Sequence, residues 1–203
     1  MQMNDVKFYL RDRNPELAEA WTKYFAGIEQ IVVSCGDIFD LDADAIVSPA
    51  NSFGFMDGGI DLVYSNYFGW DLQERLRAIL AKEHDGELPV GQAVIVETLH
   101  ERIPFLISAP TMRVPMWVAN TVNAYLAFRA TIRAVRKHNK ESAHPIGTVL
   151  CCGLGTAIGG ISPAVCAKQM AAAYLICVRG QMNSPFALDG AVAEHGRLTS
   201  LAD

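Results

Sequence analysis

Apolar and polar positions alternate from Val6 to Leu10, the two-residue period of a strand. Asn14-Pro15-Glu16 follows with the order of a helix start. Asparagine caps, proline suits the first helical position, and an acid sits in the first turn. That helix is expected to run to about Phe25 and stop near Gly27. Ile28 to Cys35 reads as the next strand, closed by Gly36-Asp37, and Asp40, Asp42 and Asp44 mark a solvated loop. Ala45 to Ala50 is a short apolar run of the kind a buried strand needs. A Gly-rich loop, Asn51 to Gly59, leads into a helical stretch from Ile60 to Phe68. Asp71 with Glu74 has capping-box spacing ahead of Leu72, Leu76, Ile79 and Leu80, which share one helical face ending near His84 and Gly86. Gln92 to Glu97 and Phe105 to Ala109 read as two strands with a reversal near His100. Val122, Leu126, Ile132 and Val135 define a long helix that turns basic at Arg133, Arg136, Lys137 and His138, where cations suit the dipole. Thr148 to Cys152 is a strand, Gly153 to Gly160 a second Gly-rich loop, and Ser162-Pro163 opens a last helix reaching about Gly180. The stretch from Asn183 to Asp203 is weakly periodic and is expected to be either a surface extension or partly disordered.

Strands and helices interleave along the whole chain. The expected class is α/β: a three-layer α/β/α sandwich around a mixed sheet of about six strands. Residues 1–182 are expected to form one domain, with 1–30 as an N-terminal extension adding an edge strand and a helix, and 183–203 as a C-terminal extension. Ligands of such sheets sit beyond the carboxyl ends of the strands, where both Gly-rich loops fall.

Composition narrows the function. Hydrophobic residues make up 51% of the 203 positions and charged residues 19%, below the usual quarter or so, as a well-filled core requires. Lys and Arg number 17 against 22 acids, a net charge of -5. Nucleic-acid backbone readers carry a basic excess, so no nucleic-acid partner is expected. No apolar stretch approaches the roughly 20 residues of a bilayer span, and no signal-peptide core opens the chain, so a cytoplasmic protein with no membrane partner is expected. The five cysteines form no CxxC and read as buried free thiols; the five histidines have no metal-ligand spacing. Neither a metal nor a cofactor is expected. Oligomeric state is not legible.

Three segments carry the candidate chemistry. In Cys35-Gly36-Asp37-Ile38 a carboxylate just past a strand either accepts from an amino group or only turns the chain. In Ser48 to Asp61 a strand delivers the amide of Asn51, Gly58-Gly59 permits close backbone approach, and Asp61 either caps the next helix or activates a water or holds a ribose hydroxyl. In Gly153 to Gly160 successive amides before a capped helix make an anion nest. No Lys or Arg lies between His144 and Lys168, so any phosphate there would rest on amides alone. The Gly153, Gly155, Gly159 spacing imitates a dinucleotide fingerprint, yet no further strand bearing an acid follows, and the Gly-Lys-Ser/Thr pattern is absent. Arg113 either contacts a ligand or caps a helix; Trp117 is expected in the core.

The ordered set Gly36-Asp37-Ile38, Ala45-Ile46-Val47 with Ala50-Asn51, Gly58-Gly59-Ile60-Asp61 and Gly153 to Gly159 resembles a macrodomain, the ADP-ribose-binding and Appr-1-p processing module, in a divergent bacterial or phage branch. The resemblance spans about Ile31 to Val178. It implies that Asp37 accepts from the adenine amino group with the Ile38 amide alongside, and that Asn51 contacts the distal ribose. It also implies that Gly58, Gly59 and Ile60 approach that ribose and the diphosphate. By the same resemblance Gly155, Thr156, Ala157, Ile158 and Gly159 would wrap the diphosphate after Gly153, and Asp61 would hold the acidic position of the hydrolytic members, with Asn51 orienting the ribose. Met182 or Phe186 would flank the adenine. The sequence departs from the family at Ser48-Pro49-Ala50-Asn51 (usually Asn-Ala-Ala-Asn), at Asp57-Gly58-Gly59 (usually a Gly triplet), and at Thr156-Ala157-Ile158, where an aromatic is usual. The implied function is binding of ADP-ribose or a related nucleotide, with an ADP-ribosylated protein as a further candidate partner. Hydrolysis of ADP-ribosyl linkages, or phosphatase action on ADP-ribose-1″-phosphate, stays open, and a non-catalytic assembly protein with a vestigial pocket is the alternative.

Overall fold

The chain alternates strand and helix as the apolar pattern demands. The strands are β1 (Lys7–Asp12), β2 (Ile31–Cys35), β3 (Ala45–Ser48), β4 (Val94–Glu97), β5 (Phe105–Ser108) and β6 (Thr148–Cys151). The helices are α1 (Pro15–Tyr24), α2 (Gly59–Phe68), α3 (Asp71–Glu83), α4 (Asn123–Glu141), α5 (Pro163–Cys177) and α6 (Leu188–Thr199). The structure is a computed structural model describing residues 3–181 and 187–200.

The strands form one sheet in the order β2-β1-β6-β3-β5-β4. Only β4 runs antiparallel, hairpinned to β5 through a reversal in which Leu99 takes a φ of 63°. Every residue of β3 is buried because helices cover both faces. Alternate side chains divide the core. Ala45, Val47, Ile107, Val149 and Cys151 face α1, α4 and α5 with Phe8, Trp21, Phe128 and Tyr174. Ile46, Leu106, Leu150 and Cys152 face α2 and α3 with Tyr64, Leu72, Leu76 and Leu80. The Cys151-Cys152 pair therefore splits across the sheet, as a strand's period requires.

Two helices begin with the side-chain caps that the sequence offers. Asn14 caps α1 through Glu16 N at 3.0 Å, and Ser162 caps α5 through Val165 N at 3.4 Å. The expected capping box at Asp71 does not form. Trp70 occupies the cap without a side-chain bond, and Asp71, already inside the first turn, pairs with Arg75 one turn on.

Four further expectations change. The N-terminal strand β1 is not at an edge: β2 and β6 flank it, and β2 takes the edge. The C-terminal extension holds α6, whose Leu198 is buried against α5 while Lys168 Nζ and Gln169 Nε2 donate to Ser200 O and Leu198 O. Cys35 is exposed and Cys177 half-buried, so only three thiols are truly interior. Trp117 is 70% exposed, outside the core.

Candidate functional site

Five parallel strands end on one side of the molecule, and the candidate residues fall along that row. At the end of β2, Asp37 Oδ1 accepts from Phe39 N at 3.0 Å and Oδ2 from Arg13 Nη2 at 2.5 Å. The Phe39 amide, then the Arg13 guanidinium, hold its carboxyl below the usual carboxylate range. Arg11 reinforces the corner, donating from Nε to Asp37 O at 2.6 Å and from Nη1 to Ser34 Oγ at 2.9 Å. Gly36, with a φ of 149°, leaves room for that guanidinium: an added β-carbon would stand 2.4 Å from Arg11 Nη2. Ile38 is buried in the short helical turn that follows.

At the end of β3, Asn51 is occupied by its own loop. Its Oδ1 accepts from Phe53 N at 3.1 Å and Phe55 N at 3.3 Å, and its Nδ2 donates to Phe55 O at 2.7 Å. Met56 is held at both backbone atoms, by Gln73 Oε1 at 2.6 Å and Ser65 Oγ at 2.7 Å. The chain then runs out into solvent: Asp57, Gly58 and Gly59 are exposed. An added β-carbon at Gly58 would meet nothing within 4 Å, and Gly59 has a φ of 57°. Asp61, in the first turn of α2, points down into the protein. Its Oδ1 accepts from Ser48 Oγ at 2.5 Å, and it is 6% exposed. Burial pushes its carboxyl up to about 7 against the lowering effect of the Ser48 bond. One turn on, Tyr64 donates to Val47 O at 3.2 Å beneath the same strand end.

At the end of β6, Gly153 N donates to Asp12 Oδ2 at 3.0 Å, which fixes where the second loop begins. Gly160 N closes onto Ala157 O at 3.1 Å and Ile161 N onto Gly155 O at 3.0 Å. Among the described residues, the intervening amides of Gly155, Thr156, Ala157, Ile158 and Gly159 donate to no protein acceptor. Five successive amides without a protein acceptor stand ahead of α5, where an anion nest would form. Ile158 is 54% exposed, and its Cδ1 comes within 3.9 Å of where Gly59 would carry a β-carbon. The two Gly-rich loops thus face each other across a narrow gap.

The Arg11 to Arg13 triplet and Val118 were not singled out from the sequence, and Trp117 and Arg113 take positions other than those expected. Arg11, Asp12 and Arg13 fix the Asp37 corner and the start of the second loop; the signal was a charged triplet at the carboxyl end of a strand. Val118 N donates to Gly159 O at 2.8 Å, and the Trp117 ring covers Gly160 so closely that a β-carbon there would lie 2.2 Å from Cζ3. No periodicity marks such a brace. Arg113 neither caps a helix nor stands free: it pairs with Glu87 at 2.7 Å and covers the Phe53 ring. The adenine-flanking candidates Met182 and Phe186 lie outside the described residues. Among the described residues no cluster of three His, Cys, Asp or Glu side chains is placed to hold a metal, and no helix is long and apolar enough to cross a membrane.

Comparison with known proteins gives the family and the fold that carry these loops. The Macro domain family profile matches residues 47–170, from within β3 to within α5, and so takes in both Gly-rich loops. A protein of Aeropyrum pernix is 32% identical over 163 residues, covering 80% of this chain and 78% of its own. A protein of Aquifex aeolicus is 32% identical over 140 residues, 69% of this chain and 78% of its own. The macrodomain of Mycobacterium tuberculosis DarG superposes with a TM-score of 0.59 at 20% identity, covering 71% of this chain and 90% of that one. A variant of the Oceanobacillus iheyensis macrodomain solved with ADPR gives 0.56 at 18% identity, covering 80% and 88%. The profile spans more than half of the chain and the relatives agree over most of it: the chain belongs to the Macro domain family.

Proposed function

We propose that the cleft between the two Gly-rich loops binds ADP-ribose or a related ADP-ribosyl group. The observation that carries this reading is the run of five free amides from Gly155 to Gly159 in a segment without a basic side chain. A diphosphate is the anion such a nest suits, since each oxygen takes N–H donors already fixed in place. Asp37 is the acceptor for the adenine amino group, held in place by Arg13 and the Phe39 amide, with the Ile38 amide beside it. Gly58, Gly59 and Ile60 form the wall nearest the distal ribose, opposite Ile158. Asn51 acts through the loop it staples, because three hydrogen bonds already engage its amide.

Calorimetry and thermal shift with ADP-ribose test the reading. At a ligand concentration roughly 100-fold above Kd, binding only to the fold adds about 2.7 kcal/mol, visible as a raised Tm. Gly58→Ala inserts a methyl group into the open cleft without a clash inside the protein. Its Tm without ligand should stay close to that of the parent, while ADP-ribose affinity falls at least tenfold. If ADP-ribose, ADP and NAD all leave Tm unmoved at millimolar concentration, the pocket is vestigial and a scaffold role stands instead.

One observation favours a second reading, hydrolysis of an ADP-ribosyl linkage. A carboxyl titrating at about 7 is matched to proton transfer at neutral pH. Asp61, turned out from Ser48 toward the cleft, would take a proton from a water whose oxygen bonds to the anomeric carbon as that carbon's bond to the linked group breaks, and the departing group would take up the proton. Asp61→Asn should then retain ADP-ribose affinity and lose turnover, and the parent's rate should rise with pH through about 7. Equal turnover in the variant removes this role.

A further inference from the structure

The two Gly-rich loops are joined by a third segment, the chain between β5 and α4. Its first part is stitched to the Asn51 loop. Thr111 N donates to Ala50 O and Ser52 N to Arg113 O, each at 3.0 Å, and Met112 pairs with Asn51 in an isolated parallel bridge. Thr111 Oγ1 adds a bond to Pro49 O at 3.1 Å. Its last part is stitched to the second loop, where Val118 N donates to Gly159 O at 2.8 Å and the Trp117 ring lies over Gly160. Between these two sets of contacts, Val114, Pro115 and Met116 are exposed and make no hydrogen bond among the described residues. They form a strap, fixed at both ends, that crosses from one wall of the cleft to the other.

The second loop needs such an outside hold. Its internal bonds, Gly160 N to Ala157 O and Ile161 N to Gly155 O, shape the turn but do not place it. Asp12 fixes where the loop begins, and the Ser162 cap fixes where α5 begins. The stretch between carries the five amides without an acceptor, and there the strap makes close contact. A β-carbon on Gly159 would stand 2.7 Å from Val118 Cγ2, and one on Gly160 would strike the Trp117 ring. Val118 is buried, whereas Trp117 is largely exposed. A ring so exposed adds little burial energy to the fold, so its contact with Gly160 bears on the loop rather than on overall stability.

We propose that Trp117 is a positioning residue for the diphosphate site, and that the strap it ends sets the separation of the two walls. The inference rests on the reading of the cleft given above. Amides that must gather around an anion lose less freedom on binding when they are already held in place. The ring acts through Gly159 and Gly160 rather than by touching the ligand. Pro115 serves the same end, since its own ring fixes one backbone dihedral in the middle of the strap. Strand order explains why the hold comes from this side. β3 lies between β6 and β5, so the segment leaving β5 must pass the Asn51 loop before it reaches the loop after β6.

The test pairs affinity with hydrogen exchange in Trp117→Ala, Trp117→Phe and Pro115→Gly, each in the full chain. Calorimetry uses ADP-ribose and ADP, which share the diphosphate and differ in the distal ribose. Trp117→Ala should weaken both by a similar factor, at least about fivefold, with Trp117→Phe recovering most of the loss. Pro115→Gly should weaken both in the same direction, though less. Without ligand, the amides of Val118, Gly160 and Ile161 should exchange faster in Trp117→Ala, while those of Cys166 and Val178, at the two ends of α5, keep their rates. A loss for ADP-ribose alone overturns the proposal, because the ring then touches the distal ribose. So do affinities equal to the parent's, unchanged exchange at those three amides, or faster exchange throughout α5. A parent that binds neither ligand overturns the reading of the cleft and the inference with it.

Discussion

A carboxyl with 6% exposure and one hydroxyl partner favours its neutral form, and Asp61 has a direct signature in pH. In the unfolded chain it titrates near 3.8, in the fold at about 7. Between those values the fold holds a proton that the unfolded chain has lost. Its contribution to stability is thus complete below about pH 4, declines as pH rises toward 7, and is gone above that. Asp61→Asn keeps an oxygen for Ser48 and carries no charge at any pH. The difference in Tm, variant minus parent, should be smallest below pH 4, grow through the interval and level off above pH 7. A difference independent of pH in a thermal-melt series would refute the assignment. Asp61 was legible from sequence because a carboxylate two residues past a Gly pair, in the first turn of a helix, is a local pattern. Its burial was not, since that depends on Ser48 of β3 and on Cys152, just past β6, meeting the inner face of α2 at Asp61 and Tyr64. Asp37 was legible for the same local reason. Its partners Arg11 and Arg13 were not, because parallel pairing of β1 with β2 brings them there.

At the scale of elements, apolar period located every strand and the first five helices to within a few residues. It failed for α6, whose one interior anchor, Leu198, is too little to make a stripe. What holds α6 is polar. Gln169, buried within α5, donates to Thr121 O at 2.7 Å and Leu198 O at 3.1 Å, and accepts from Tyr125 N at 3.1 Å. One side chain therefore ties the approach to α4, the start of α4 and the end of α6 to α5. Gln169→Ala leaves two carbonyls and one amide without that partner, a cost of about 3 kcal/mol once partial rehydration is allowed for. Urea unfolding measures it. Hydrogen exchange should show amides in α6 opening before those of α5; uniform protection in the variant would mean that α6 is held by something else. A glutamine amid apolar and alanine positions carries no sequence signal of this role, since its three partners lie 29 to 48 residues away in the chain.

For the whole molecule, the strand order decides what the N-terminal residues are for. The family profile begins at residue 47, so the first strand-helix unit reads from sequence as an addition to a finished domain. The sheet shows otherwise, with β1 hydrogen-bonded on both sides, to β2 and β6. Phe8, Leu10, Leu17 and Trp21 are fully buried in the larger core. Removing residues 1–30 would strip β6 of a neighbour, detach β2 and uncover α5, losing four large apolar side chains at roughly 1.5–3 kcal/mol each. That loss rivals the 5–15 kcal/mol of a typical domain's net stability. It would also release the site, because Asp12 anchors Gly153 and Arg11 and Arg13 hold Asp37. A chain beginning at Ile31 should therefore show no cooperative urea transition by circular dichroism and no thermal shift with ADP-ribose. A milder change separates the two effects. Asp12→Asn leaves the core intact and keeps an oxygen facing Gly153, but gives up the charge-assisted bond. It should fold cooperatively, lose about 1 kcal/mol, and weaken ADP-ribose binding through a loosened second loop. Cooperative unfolding of the truncated chain at a urea midpoint near that of the parent would show that the first thirty residues are an accessory after all.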